Sequence, residues 1–248
     1  MRGTATRTAA AAGMLLAALT GCASRQTHDG ADAGTKQPAA TRALTTVPDV
    51  GPSFQKRIPA ASRQVVVVYG DGRNSPDATV VLYTKRGITQ GVKQGITQGG
   101  TWQKESSWPA HNARKGWTTD HHENDGRSPV GVFTLTDAGG ALKNPGSKLP
   151  YTRSAAFETP SWWLKPYRHD FDYVIAIDYN RVKGTSPSDP TRPEGEKKGG
   201  SIWLHMDHGS GTSACVSLSK AGMEHLLTTL DPAAHPVVVM GDRAELKA

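Results

Sequence analysis

The chain has 248 residues, 36% hydrophobic and 21% charged, with 29 Lys and Arg against 22 Asp and Glu for a formal charge of +7. That balance reads as a globular chain of one or two domains, and the absence of an apolar run of about 20 residues beyond the N-terminus argues against a polytopic membrane protein. Two cysteines exclude a disulfide-stapled scaffold and a four-cysteine zinc module, and the positive charge is spread without a basic block, so no nucleic-acid partner is expected.

Residues 1–21 have the layout of a secretion signal, with charge from Arg2 and Arg7 and a short apolar stretch from Ala9 to Leu19. The stretch ends in Leu19-Thr20-Gly21-Cys22, which resembles the lipobox of bacterial lipoproteins. In that family the Cys sulfur is acylated and the chain is cut just before it. The resemblance implies that Cys22 is lipidated and holds the chain on the outer face of the cell membrane; an ordinary signal with an incidental Cys is the other reading. Residues 22–57 are rich in Ala, Thr, Gly, Asp and Pro without periodicity, which predicts a flexible linker ahead of a folded domain at 58–248.

Strand signals dominate that domain. Val65 to Tyr69 is a β-branched run ending in Gly70-Asp71-Gly72, and Thr79 to Tyr83 repeats the pattern. Between them and the next strand, Gly87-Ile88-Thr89-Gln90-Gly91 recurs as Gly95-Ile96-Thr97-Gln98-Gly99, a local duplication that would enlarge a loop or hairpin. Val132–Thr136, Tyr173–Tyr179, Ser201–Met206 and Pro236–Met240 complete six predicted strands. One helix is predicted over Lys220–Leu230, where Met223, Leu226, Leu227 and Leu230 form a stripe, with Ser219 as N-cap and Pro232 past the end. Many strands and one late helix predict a mainly β domain, a sandwich or barrel-like fold rather than a doubly wound one. Trp108, Trp117, Trp162 and Trp163 are candidates to line a groove whose walls run from Trp102 to Trp117 and from Tyr151 to Trp163.

Cys215 draws the chemistry together. With Cys22 assigned to lipid, it is an odd cysteine in an exported chain: a reactive thiol, half of an intermolecular disulfide or a buried bystander. The strand Ser201–Met206 carries His205, a polar loop follows, and Cys215 precedes the predicted helix. The helix N-terminus would favour a thiolate, His205 would take the proton, and nearby backbone N–H groups would hold an oxyanion. Pairing with His205 is expected to lower the thiol pKa from its free value of ~8.5.

Three motifs then point to a family. Gly200-Ser201-Ile202-Trp203-Leu204-His205 with Thr212-Ser213-Ala214-Cys215-Val216-Ser217-Leu218 resembles the catalytic signature of the L,D-transpeptidase (YkuD-like) family. Glu123 to Phe133 is similar to that family's E-x-D-G-x-[ST]-P-x-G-x-F, and Asp178-Tyr179-Asn180 to its I-x-Y-N segment. The resemblance spans roughly Val65 to Gly241. It implies a mixed β-sandwich with one helix after a catalytic Cys, and attack on a peptidoglycan stem tetrapeptide with loss of the terminal D-alanine. The acyl-thioester would pass to a side-chain amine of a neighbouring stem or, in a carboxypeptidase, to water.

Carried over, Cys215 is the nucleophile and His205 the base. The Met206 carbonyl would orient the imidazole, and the N–H groups of Ser213, Ala214 and Cys215 would serve the oxyanion. His208, Thr212, Ser217 and Trp203 are the expected substrate contacts. No cofactor is expected, the partners are stem peptides and the membrane through the lipid, and a monomer is expected. The chain departs from the family at Ala214, where a Gly is usual, at Ser217, where Arg or Asn is common, and in its short His205-to-Cys215 loop. Ala214 motivates a second class, a wall-binding lipoprotein without turnover. A zinc reading would use His205, Asp207, His208 and Cys215, with His121, His122, Glu123 and Asp125 as a second cluster; no metal motif supports it. His121, His122 and Asp207 otherwise read as solvated loop residues.

Overall fold

The computed structural model describes residues 44–87, 89–90 and 97–248. The signal, Cys22, most of the linker and the middle of the duplicated segment lie outside them. In chain order the strands are β1 (Gln64–Gly70), β2 (Asp77–Arg86), β3 (Thr89–Gln90), β4 (Thr97–Gln98), β5 (Thr101–His111), β6 (Trp117–Thr118), β7 (Ser128–Pro129), β8 (Gly131–Thr134), β9 (Ala138–Gly140), β10 (Tyr151–Arg153), β11 (Val174–Ala176), β12 (Trp203–Met206), β13 (Val216–Leu218) and β14 (Val237–Asp242). The helices are α1 (Pro52–Gln55), α2 (Lys220–Thr229) and α3 (Arg243–Leu246).

The fold is mainly β. All six predicted strands are present, although Tyr173–Tyr179 contracts to the three residues of β11. One mixed sheet runs β10-β9-β11-β12-β13-β5-β2-β1-β14-β8. β8 ends that order, β9 stands second from the other end, and only Leu135, Thr136 and Asp137 separate them in the chain. So short a link forces the sheet to curl. Backbone bonds from Asp178 N to Thr134 O (3.1 Å) and from Ala176 N to Asp137 O (2.9 Å) join the two ends.

Curling gives the central strands two buried faces, which is why they read as unbroken apolar runs. Val66 and Val68 of β1, with Val238 and Met240 of β14, point into the enclosed core. Val65, Val67, Tyr69, Val237 and Val239 point outward into a second cluster. Helix α2 presses Met223, Leu226 and Leu227 into the enclosed core, joined by Leu230 just past its end, as their spacing predicts, and Ser219 caps it by accepting from Gly222 N at 3.2 Å.

The second cluster corrects the linker boundary. Val47, Val50 and Phe54 are buried in it with Leu246 of α3, so ordered packing begins ahead of residue 58. Gly51 N donates to Leu246 O at 2.6 Å, and a Cβ at Gly51 would lie 2.5 Å from the Ala248 carbonyl oxygen, so only glycine fits between the two ends of the fold.

Strand β5 was not predicted. It pairs with β2 along its length but touches β13 only at Ala110 and His111, so most of it is an edge with a polar outer face and a proline, Pro109, within it. The duplicated segment extends this β2–β5 hairpin: Thr89 pairs with Gln98 and Gln90 with Thr97, so the two Thr-Gln copies pair with each other.

Candidate active site

Strands β12 and β13 are parallel neighbours, with Leu204 opposite Val216 and His205 opposite Ser217. Leu204 and Val216 enter the enclosed core. The period of two therefore sends His205 and Ser217 to the other face, and one step back in the same register sets Cys215 beside Trp203. Trp203 N–H donates to Cys215 Sγ at 3.4 Å, and the thiol in turn reaches the Ser201 carbonyl at 3.7 Å. Ser201 holds a left-handed backbone (φ 53°), a strained conformation for a residue with a Cβ, placed directly against the sulfur.

The Cys215 loop is pinned from below. Ser128, fully buried, donates from Oγ to the Ala214 carbonyl at 2.7 Å and accepts from Ala113 N at 3.0 Å. Thr212 Oγ1 donates to the Cys215 carbonyl at 2.6 Å. The preceding turn is built by Asp125, which accepts from His121 Nδ1, His122 N and Arg127 N. The Ser of the upstream motif is thus a clamp on the cysteine loop. Among the described residues the N–H groups of Ser213, Ala214 and Cys215 donate to no protein acceptor. Ala214 is not among the residues with positive φ, so alanine carries no backbone strain there.

His205 is buried, and its Nδ1 donates to the Met206 carbonyl at 2.8 Å, which leaves Nε2 as the acceptor. Phe171 packs its edge on the imidazole at 5.5 Å and on Trp203 at 5.2 Å. Burial draws the His205 pKa down to about 4, against the pull of the Met206 carbonyl. Burial pushes the Cys215 thiol up to about 11, with the Trp203 N–H opposing. The resting pair is therefore neutral thiol and neutral imidazole, which corrects the expectation of a lowered thiol pKa. The helix argument is corrected as well: β13 intervenes, and α2 starts only after its cap at Ser219.

Cys215 is shared by two clefts of about 260 Å³ each. One is lined by His205, Asp170, His208, Trp163, Tyr167 and Thr212 among others. The other takes in Ser213, Ala214, Ser201, Gly200, Asn124 and His121. Arg114 lines both and forms no ion pair among the described residues. Nothing in the sequence singled out Arg114, Ser128 or Asp170. Arg114 and Asp170 stand in irregular segments, and Ser128 was quoted only as a motif letter.

The other expected contacts divide. His208 and Thr212 line the first cleft. Trp203 meets the site through its backbone, its ring packed on Phe157 and Phe171. Ser217 is corrected: it is fully buried and donates to Asp207 Oδ1 at 2.7 Å rather than facing a ligand. Asp207 is exposed, as a loop residue is expected to be, but its carboxylate is tied down by neighbours. It also accepts from His111 Nδ1 at 2.8 Å and from Gly209 N at 3.0 Å. Burial pushes its carboxyl up, but the Ser217 hydroxyl and His111 outweigh that and hold it below its usual range.

His121 is buried rather than solvated, edge-on to Tyr179 at 5.4 Å, while His122 is exposed. Trp117 and Trp102 are buried in the two cores rather than lining a groove; Trp163 does line the first cleft, and Trp162 is 79% exposed. Among the described residues no three His, Cys, Asp or Glu side chains converge on a position that would hold a metal ion.

Compared with protein-family models, curated proteins and solved structures, the chain matches none of them. The likeness to the L,D-transpeptidases rests on the motifs themselves.

Proposed function

We propose that the protein is an exported, lipid-anchored cysteine acyltransferase of the L,D-transpeptidase kind, acting on peptidoglycan stem peptides. The observation that carries this reading is the place of Cys215: it is the shared wall of two clefts, and the buried imidazole of His205 lines one of them. Such an arrangement suits a two-substrate acyl transfer, in which the acyl group can hold one cleft while the leaving and then the incoming amine use the other. His205 Nε2 takes the thiol proton as Sγ bonds to the carbonyl carbon. The unpartnered N–H groups of Ser213, Ala214 and Cys215 receive the oxyanion. Collapse breaks the C–N bond, and His205 returns the proton to the departing D-alanine amine. The thioester is then resolved by an incoming amine. Arg114, which has no acidic partner among the described residues and lines both clefts, suits the carboxylates of a stem peptide.

The test is intact-protein mass spectrometry of residues 42–248 with a stem tetrapeptide and, separately, with a carbapenem as acylating reagent. A covalent adduct in the wild type, lost in Cys215→Ala and slowed in His205→Ala, is the expected result. The neutral resting pair favours one other reading, a wall-binding domain without turnover, and a folded wild type that forms no adduct with either reagent would select it.

A further inference from the structure

Two side chains of the His205 cleft have no part in the mechanism above. Asp170 follows the short 3₁₀ helix Lys165–His169, and His208 lies in the loop after β12. His208 Nδ1 stands 3.0 Å from Asp170 Oδ2, and the two side chains are only 5% and 6% exposed. The contact does not meet hydrogen-bond geometry, so among the described residues both nitrogens of His208 and Oδ1 of Asp170 have no hydrogen-bond partner. Native folds keep few such buried polar atoms, and each calls for a reason. Burial raises the Asp170 carboxyl to about 6, with His208 pulling the other way. His205 lies nearly parallel to His208, ring centres 6.2 Å apart, and Tyr167 covers His208 at 4.5 Å.

The chemistry of acyl transfer says what would occupy this wall. Aminolysis of the thioester is the reverse of its formation, so the attacking amine takes the position the leaving amine vacated, beside the imidazole that handles its proton. That position is in the cleft of His205, and Asp170 and His208 line the same cleft. An alkyl amine arrives at neutral pH as an ammonium, with a positive charge and three N–H donors. It must lose a proton before its lone pair can attack.

We propose that Asp170 and His208 form the seat of the acyl acceptor's ammonium group, with Asp170 as its first proton acceptor; the assignment rests on the thioester reading of Cys215. The ammonium gives one proton to the Asp170 carboxylate. The freed amine bonds to the thioester carbonyl carbon, and its second proton passes to His205 Nε2. The C–S bond breaks, the departing thiolate takes that proton back from His205, and Asp170 releases its own to water. The products are an amide and a free thiol. Tyr167 and Trp163 line the same cleft, so an occupied seat leaves less room for water beside the thioester and favours transfer over hydrolysis.

The test uses residues 42–248 in two stages. Adduct formation is recorded first by mass spectrometry. The preformed thioester is then offered two nucleophiles, Nα-acetyllysine, charged at neutral pH, and hydroxylamine, uncharged there. In Asp170→Asn the yield of lysine product relative to hydroxamate is expected to fall about tenfold or more, the scale of a lost charge-assisted contact. Where thermal melting shows that Asp170→Asn does not fold, His208→Gln carries the same ratio and the same expectation. A ratio unchanged from wild type, both products falling together, overturns the seat and leaves the thioester standing. A wild type that forms no adduct overturns both.

Discussion

Removing the Ser128 hydroxyl tests how the cysteine loop is held. In Ser128→Ala the Ala113 N–H loses its partner in a buried place and the Ala214 carbonyl loses its own in a half-buried one, while the Cys215 carbonyl keeps Thr212. A buried polar group left unpaired costs about 1–3 kcal/mol and a half-buried one less, so the two together destabilise the domain by about 2–4 kcal/mol. For a domain of this size that lowers Tm by about 4–16 °C. The same loss frees the Ala214 carbonyl, and with it the orientation of the three N–H groups proposed to hold the oxyanion. Carbapenem acylation is expected to slow by about tenfold to a hundredfold, measured well below the new Tm. Differential scanning calorimetry and time-resolved mass spectrometry read the two effects. A Tm within about 2 °C of wild type, with unchanged acylation, would refute the clamp.

Ala214→Gly should give no gain in acylation and a stability loss of about 0.4–1 kcal/mol from added freedom in the unfolded chain, because Ala214 lacks a positive φ; faster acylation by the glycine variant would count against this. The second-order acylation rate should rise with pH through a midpoint near 4, as His205 loses its proton, and stay level through neutrality because the thiol titrates only near 11. The groups facing His205 in that titration are His208, Asp207 and the carbonyls of Met206 and Asp170. A midpoint near 6.5 in the pH–rate profile would show that the imidazole is solvated. Phe54→Ala should destabilise the domain by about 3–5 kcal/mol in a denaturant melt, since Phe54 is buried in the second cluster; an unchanged midpoint would return residues 44–57 to the linker.

The sequence was legible where local periodicity and tertiary burial agree. The valine runs of β1 and β14 and the Met223-to-Leu230 stripe declare themselves because each buried position recurs at the period of its element. Strand β5 does not, because an edge pairing asks little of its outer face and its Lys104, Glu105 and Pro109 look like loop residues. Strands such as β10 and β13 are too short to show any period. At the site, His205 and Cys215 stood out by type and motif, and the Met206 carbonyl was placed in advance. Ser217 was misread because its partner, Asp207, is set by the loop turn and not by spacing along a strand. Asp170 was invisible for a related reason: it meets His208 only because β11 and β12 are antiparallel neighbours that bring their flanking loops together.

The seat of β14 in the sheet has a consequence for how the chain is made. This strand, Val237–Asp242, lies between β1 and β8, pairs with residues 65–70 on one side and completes both clusters of buried side chains. Contacts that join residue 65 to residue 237 close a very long loop and form late. Until the ribosome has added the last strand, β1 presents an open valine edge, and neither core can shut. A chain whose sheet stays open until residues 237–242 are made remains slack during synthesis, which suits the export proposed above.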